Sequence, residues 1–316
     1  MENGELAMSS EQKNDLRKSP PKSQIGLFTV HCLLLIVFCS LFTVHCSSAP
    51  PPVTDIYSIR NMAVQQINLA NHTANRGLYE DALLIIEEAR RLAISADDPS
   101  LRIQSSISRG NILFSLGREE HAFQDWEAAL AEGDNQGQAL LAAQARIFLI
   151  RASLILLDKD DEISAGSSTA ADFKDELDRL LPALRQDPFT LAAWYITMGL
   201  AERQLERWEE AESAVRRALE IYDRNLWLED SAYSWFLIAS IRSLSGNYDS
   251  ALAALRTSIN IDRRAENGYG LANSWQAMGD VYDKAGLGEE ARAAWQRAAE
   301  IFRAIGLDER AERLEI

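Results

Sequence analysis

The residues of this 316-residue chain with reactive side chains are few and scattered. Cys32, Cys39 and Cys46 all lie in one apolar stretch near the N-terminus. Beyond it the histidines are His72 and His121, too far apart in sequence to form a local ligand pair. A zinc site needs three or four nitrogen or sulfur ligands at close spacing, so this set offers none. With no cysteine after residue 46, the remainder can carry neither a disulfide framework nor a thiolate metal site. Carboxylate pairs are abundant, as in Glu87-Glu88, Glu209-Glu210 and Glu289-Glu290. General acid–base work would need one member of a pair shifted away from the other, and nothing in their helical surroundings does that. Phosphate-binding glycine loops, dinucleotide fingerprints and nucleophile elbows do not occur. The expectation is a chain with no catalytic residues, no metal and no cofactor.

The elements that would position any site are helices. Proline is rare, and alanine, leucine, glutamate and arginine are plentiful. Glycines at 77, 117, 246 and 286 are each followed five residues later by alanine, at 82, 122, 251 and 291. The spacing within each half is 40 residues, and Glu206/Ala211 supplies a further unit 40 before Gly246. A beat of that length in a helical pattern predicts stacked helix pairs, which offer a surface. The net charge of −15 falls entirely after residue 45, because residues 1–45 carry four acids and four bases. Such a body repels nucleic acid at long range.

The best-formed unit reads Trp275, Met278, Gly279, Tyr282, Gly286, Ala291, Trp295 and Ala298. Its small residues let two helices approach, and its large ones fill the groove between pairs. These offsets resemble the tetratricopeptide repeat. The same pattern appears around Gly77/Tyr79/Ala82, Gly110/Trp126, Gly199/Trp208/Ala211 and Gly246/Tyr248/Ala251. The third unit keeps a first helix around Arg151, then an enlarged loop over 158–168, then an apolar-spaced second helix that Pro182 is expected to kink or end. The resemblance implies an all-α, right-handed superhelix of about six helix pairs over 54–306, closed by a capping helix over 307–316. The repeat of about 40 is longer than the family's common 34. Trp126, Trp235, Trp275 and Trp295 occupy packing positions of the repeat, and Trp227 is the aromatic most suited to line a binding surface.

Residues 1–46 form a polar leader followed by an apolar run from Gly26 to Cys46, and 47–53 a Pro/Ser tether. The run is about as long as a membrane span requires. A basic flank at Arg17, Lys18 and Lys22, an apolar core and then Cys46 before Ser47-Ser48 resemble a bacterial lipoprotein signal. The resemblance implies lipidation at Cys46 and a body held outside the cytoplasm at the cell envelope. Thr43 and His45 depart from that signal, and an uncleaved 26–46 anchor is the alternative. The basic flank gives the same orientation in either case.

In the repeat family the first helix of each pair supplies the concave face. Carried over, the binding positions are Ile107, Asn111 and Phe114; Leu149 and Leu156; Ile196, Leu200 and Arg203; Tyr233 and Phe236; Gln276 and Asp280. An apolar groove with one arginine suits a peptide or helix from a partner protein. The expectation is a non-catalytic, membrane-anchored scaffold for protein–protein interaction. The alternative is a small-molecule- or peptide-binding accessory lipoprotein of an envelope transport system.

Overall fold

The computed structural model describes residues 58–157, 163–185 and 187–314, without the side chains of 163–168. The leader, the 26–46 run, Cys46 and the tether lie outside the described residues. Everything described belongs to one compact unit, Ile56–Ile316.

That unit is built of helices: α1 (Ile59–Asn75), α2 (Tyr79–Ser95), α3 (Pro99–Ser115), α4 (Glu119–Asn135), α5 (Ala139–Leu157), α6 (Ile163–Leu184), α7 (Pro188–Gln204), α8 (Trp208–Asn225), α9 (Leu228–Leu244), α10 (Tyr248–Ala265), α11 (Gly268–Lys284), α12 (Gly288–Ala304) and α13 (Asp308–Glu312). There is no strand among the described residues. Successive helices pack as antiparallel pairs, and neighbouring pairs stack. The first helices start at residues 59, 99 and 139, then at 188, 228, 268 and 308. The 40-residue period is therefore kept throughout and broken once, between α5 and α7.

Local chemistry sets these starts and stops. Ser58, Asp98 and Asp187 cap α1, α3 and α7 by accepting the backbone N–H three residues on. Pro99 and Pro188 follow their caps at the first helical position, where a missing N–H costs nothing. Each described linker turns on a left-handed residue. These recur every twenty positions: 77, 97, 117 and 137, then 206, 226, 246, 266, 286 and 306. Six of the ten are glycine, the residue that adopts this conformation without steric cost.

Pairs are zipped by a small residue opposite a large one sixteen positions later. A methyl group added at Gly110 would sit 2.5 Å from Trp126 Nε1, one at Gly279 2.4 Å from the Trp295 ring, and one at Gly199 2.6 Å from Val215 Cγ2. Trp126 is 2 % exposed and donates to the Ile107 carbonyl at 3.3 Å. Trp126 and Trp295 thus serve packing, as does Trp194, which donates to the Leu177 carbonyl at 2.7 Å. The bias toward arginine also has a role in the packing. Arg146 grips both carboxylate oxygens of Glu176, and Arg242 binds Glu212 through two nitrogens. These fork contacts tie one helix to another in a geometry lysine does not offer.

The irregular third pair differs from expectation at its loop. Helix α6 begins at Ile163, inside the segment read as a 158–168 loop, and Pro182 sits in its last turn rather than kinking its middle. Ser and Gly in 163–168 read as turn residues, yet they sit in the opening turns of the helix. Helix α5 is strongly apolar, with Arg146 and Arg151 its only charges, and is long enough to cross a membrane by length and composition. Its buried face, including Ala145, Ile147, Ile150 and Leu154, makes it the central helix of the stack. Helix α13 closes the far end: Ala311 is buried against Phe302, and Arg310 lies over the Phe302 ring at 4.3 Å.

The superhelix comes round far enough for its first pair to touch its last. Arg76 bridges Glu266 at 2.9 Å, and Tyr79 meets Tyr269 edge to face. Ile305 lies against Gly77 and Gly268. This contact surrounds a central space with the first helices of all six pairs.

Candidate functional site

That central space is a cavity of about 740 Å³. Its wall is made mainly by the odd-numbered helices, α1 to α11, with Tyr79, Trp126 and Tyr222 reaching it from second helices, and the cavity crosses the first helices obliquely. It touches the second half of α1 (Ile67, Asn71, Ala74, Asn75), most of α3 and α5, and only the first turns of α7 (Phe189, Thr190, Ala193), α9 (Glu229, Asp230, Tyr233) and α11 (Tyr269). The drift is the superhelical rise: each pair is displaced along the axis, so a straight cavity meets each helix earlier in its sequence. Residues in register along the repeat therefore form short ladders on the wall. Asn71, Asn111 and Arg151 make one; Gln104, Gln144, Ala193 and Tyr233 a second; Leu140, Phe189, Glu229 and Tyr269 a third.

The drift decides where the expected binding residues lie. Ile107, Asn111, Phe114 and Tyr233 line the cavity. Leu149, Ile196 and Leu200 do not. They are at most 5 % exposed and pack between helices. Arg203 is buried and donates to Ser240 Oγ at 3.0 Å. Leu156 lies off the cavity, and Phe236 stands behind the wall, its ring stacked on Tyr233 at 6.1 Å. Gln276 accepts a hydrogen bond from Arg310, and Asp280 accepts one from Trp295 Nε1 at 2.8 Å. These positions off the cavity share one cause. The same offsets were applied to every first helix, whereas the cavity reaches only the opening turns of α7, α9 and α11. Trp227 also stands behind the wall, edge-on to Phe189 and Tyr222.

Residues that sequence reasoning missed are Phe148, Arg151, Phe189, Glu229 and Asp230, all on the wall. The signal available was polarity in the wrong place: Arg151 interrupts the most apolar helix of the chain, and Glu229-Asp230 opens an otherwise apolar α9. The wall is aromatic in its middle, with Phe114, Trp126 and Phe148 grouped within about 6 Å of one another through Trp126. It also carries carboxamides at Asn71, Gln104, Asn111 and Gln144. The Asn111 Oδ1 atom is buried and accepts no hydrogen bond among the described residues. A carboxamide offers one acceptor and two donors, the complement of a peptide unit.

Charge on the wall is uneven. Arg151 donates to the Ala193 carbonyl at 3.1 Å and to Thr197 Oγ1 at 3.3 Å, and lies over the Phe148 ring at 5.1 Å. Asp187 is committed to its cap on α7. Burial pushes the Asp230 carboxyl up to about 6, with Arg151 pulling the other way and Glu229 adding to the rise. Behind α9, burial likewise pushes Asp262 up to about 7, although Asn267 donates to it at 2.7 Å. Among the described residues no group of three or more His, Cys, Asp and Glu side chains could hold a metal ion. The arrangement is suited to holding a ligand by contact.

Comparison with known proteins agrees with the fold. Residues 189–264 and 228–304 match the tetratricopeptide repeat family. Among solved structures, the chain resembles a Rap protein complexed with competence and sporulation factor, with 13% identity, 80% of this chain and 72% of that chain covered, and a TM-score of 0.52. It also resembles a signal transduction ATPase with numerous domains carrying a tetratricopeptide repeat sensor from Pyrococcus horikoshii. There the identity is 15%, the TM-score 0.52, and the match covers 82% of this chain but 42% of that one. No curated protein sequence matches the chain. The fold is an all-helical solenoid of the tetratricopeptide-repeat type.

Proposed function

We propose that this protein is a non-catalytic scaffold of the tetratricopeptide-repeat type that holds a linear segment of a partner protein in its central cavity. The observation that carries the reading is the wall itself: apolar rings in the middle, flanked by carboxamides, one of them with a buried acceptor that nothing among the described residues satisfies. An unmet buried acceptor costs roughly 1–3 kcal/mol, which a ligand N–H would offset. An extended segment suits this wall because its backbone presents donors and acceptors at every residue, while its side chains can lie on Phe114 and Phe148. The partner bound in the Rap structure is consistent with this use of such a fold.

The reading includes anchoring at the cell envelope, with the solenoid outside the cytoplasm. That part rests on the sequence alone, on the apolar run from Gly26 and on Cys46. Replacing Cys46 with serine tests it: loss of palmitate labelling and of detergent partitioning supports lipidation, and unlabelled partitioning in both proteins supports an uncleaved anchor.

A second reading, a small-molecule receptor serving envelope transport, is favoured by one observation. The cavity volume falls within the range of about 300–1,000 Å³ common to small-ligand sites. Native mass spectrometry separates the two, since a co-purifying compound of low mass would support the receptor. For the scaffold, Asn111→Ala combined with Phe148→Ala is expected to weaken capture of the partner from envelope extracts more than tenfold at unchanged helicity. Undiminished capture would remove the cavity from the account.

A further inference from the structure

We propose that the cavity selects a segment bearing a basic side chain, whose positive charge is received by Glu229 and Asp230 at the start of α9. The inference rests on the reading of the cavity as the partner-binding site and specifies which partners it accepts.

The wall carries three carboxylates, Asp187, Glu229 and Asp230, and one cation, Arg151. Their commitments differ. Asp187 caps α7, and Arg151 is fixed by two hydrogen bonds and an aromatic face. Glu229 and Asp230 have neither a side-chain hydrogen bond nor an ion pair among the described residues, although Asp230 feels the Arg151 charge. Asp230 is recessed enough for burial to raise its pKa, so its ionised form is held at a cost that the Arg151 charge offsets only in part. Two other recessed acids are paired with cations directly, whereas the buried Asp262 is held by Asn267 instead. Asp125 bridges Arg109 at 2.8 Å, and Glu202 bridges Lys174 and Arg207. Arg151 could have filled that role, but its guanidinium is turned to the α7 backbone.

The surroundings fit a long cationic side chain. Phe189, Tyr222 and Tyr233 line the cavity beside the two carboxylates. Rings of this kind receive an aliphatic stem and attract a cation over their faces. An incoming guanidinium or ammonium would meet two carboxylates in a sheltered space, where charge-assisted hydrogen bonds are strong. The net charge of −15 draws such a partner in from solution.

The test uses the full chain in detergent and three fluorescein-labelled hexapeptide pools. The pools share the same degenerate positions and differ at one fixed position: Arg, Gln or Glu. Fluorescence anisotropy is expected to show the Arg pool binding at least tenfold more tightly than the Gln pool, with the Glu pool weakest. In the Glu229→Gln, Asp230→Asn double variant the Arg preference is expected to fall below twofold at unchanged circular dichroism, while Phe148→Ala weakens all three pools alike. If the pools bind equally and Phe148→Ala still weakens them, the charge selection is wrong and the cavity reading stands. An Arg preference that survives the double variant places the basic contact elsewhere and overturns the proposal. Binding by none of the pools overturns the peptide reading, and the charge selection with it.

Discussion

Tyr79 and Tyr269 meet edge to face at the edge of the central space, with ring centroids 5.4 Å apart and planes at 88°. One opens α2 and the other lies in the first turn of α11, so their contact joins the first pair of the superhelix to the last. Burial drives the Tyr79 phenol pKa well up, a sign of how far this junction excludes water. The neighbouring Arg76–Glu266 bridge is solvent-exposed on both sides and adds little. An edge-to-face pair contributes about 0.5–1.5 kcal/mol beyond its buried area. Tyr269→Ala is therefore expected to speed amide exchange in α1 and α2 while leaving α7 to α10 protected, whereas Arg76→Ala changes neither. Hydrogen exchange read by mass spectrometry checks both.

The sixteen-residue pairing of small with large residues predicts opposite outcomes for chemically identical substitutions. Gly110→Ala and Gly279→Ala drive a methyl group into Trp126 and Trp295, and overpacking of this kind costs about 1–3 kcal/mol. Gly288→Ala, whose new methyl would meet only Arg292 Nη1 at 3.9 Å, gains helix propensity of up to about 1 kcal/mol. Thermal melts should fall for the first two and hold or rise for the third.

Leu226 sits between α8 and α9 with φ of 58° and is 79 % exposed. A left-handed residue with a Cβ costs about 1–2 kcal/mol, partly offset by the extra unfolded-state freedom of glycine. Leu226→Gly is expected to raise the melting temperature by roughly 1–4 °C. A fall would mean that the leucine makes a contact its exposure does not suggest.

The buried carboxyl of Asp262 gives a pH dependence whose sign is fixed. Its native-state pKa, about 7, lies above its ordinary value because burial disfavours the charge, and the Glu229 carboxylate nearby adds to the rise. The native state then binds more protons than the unfolded chain, so this stability is complete below about pH 4 and is lost as pH rises through 7. Asp230 adds a second window with the same sign, ending near pH 6. Urea midpoints measured from pH 5 to pH 8 are expected to decline, and to decline less for Asp262→Asn, whose amide oxygen still accepts from Asn267.

Much of the fold was legible because its signal is local and repeated. Gly77, Gly117, Gly246 and Gly286 mark linkers whose left-handed turn glycine adopts most easily. Gly110 and Gly279 mark contacts that a side chain would block. The binding wall was legible only in part, because it depends on the accumulated rise of the superhelix, which no single repeat encodes. Ile107 and Asn111 line the cavity since α3 meets it along most of its length. Leu200 and Gln276 lie off it since α7 and α11 meet it only at their first turns. The seam was invisible for the same reason: Glu266 and Arg76 come together only when six pairs have been stacked.

The central claim, that a partner segment lies in this cavity, is tested most directly by photo-crosslinking in the intact envelope. Benzoylphenylalanine is introduced singly at Phe148 and Tyr233 on the wall, and at the exposed Leu84 and at Gln276, both away from the cavity. The account predicts adducts to one partner from positions 148 and 233, carrying crosslinked peptides from a single linear segment, and none from 84 or 276. Adducts from 84 or 276 with none from 148 or 233 would contradict it and move the interaction to another face of the solenoid.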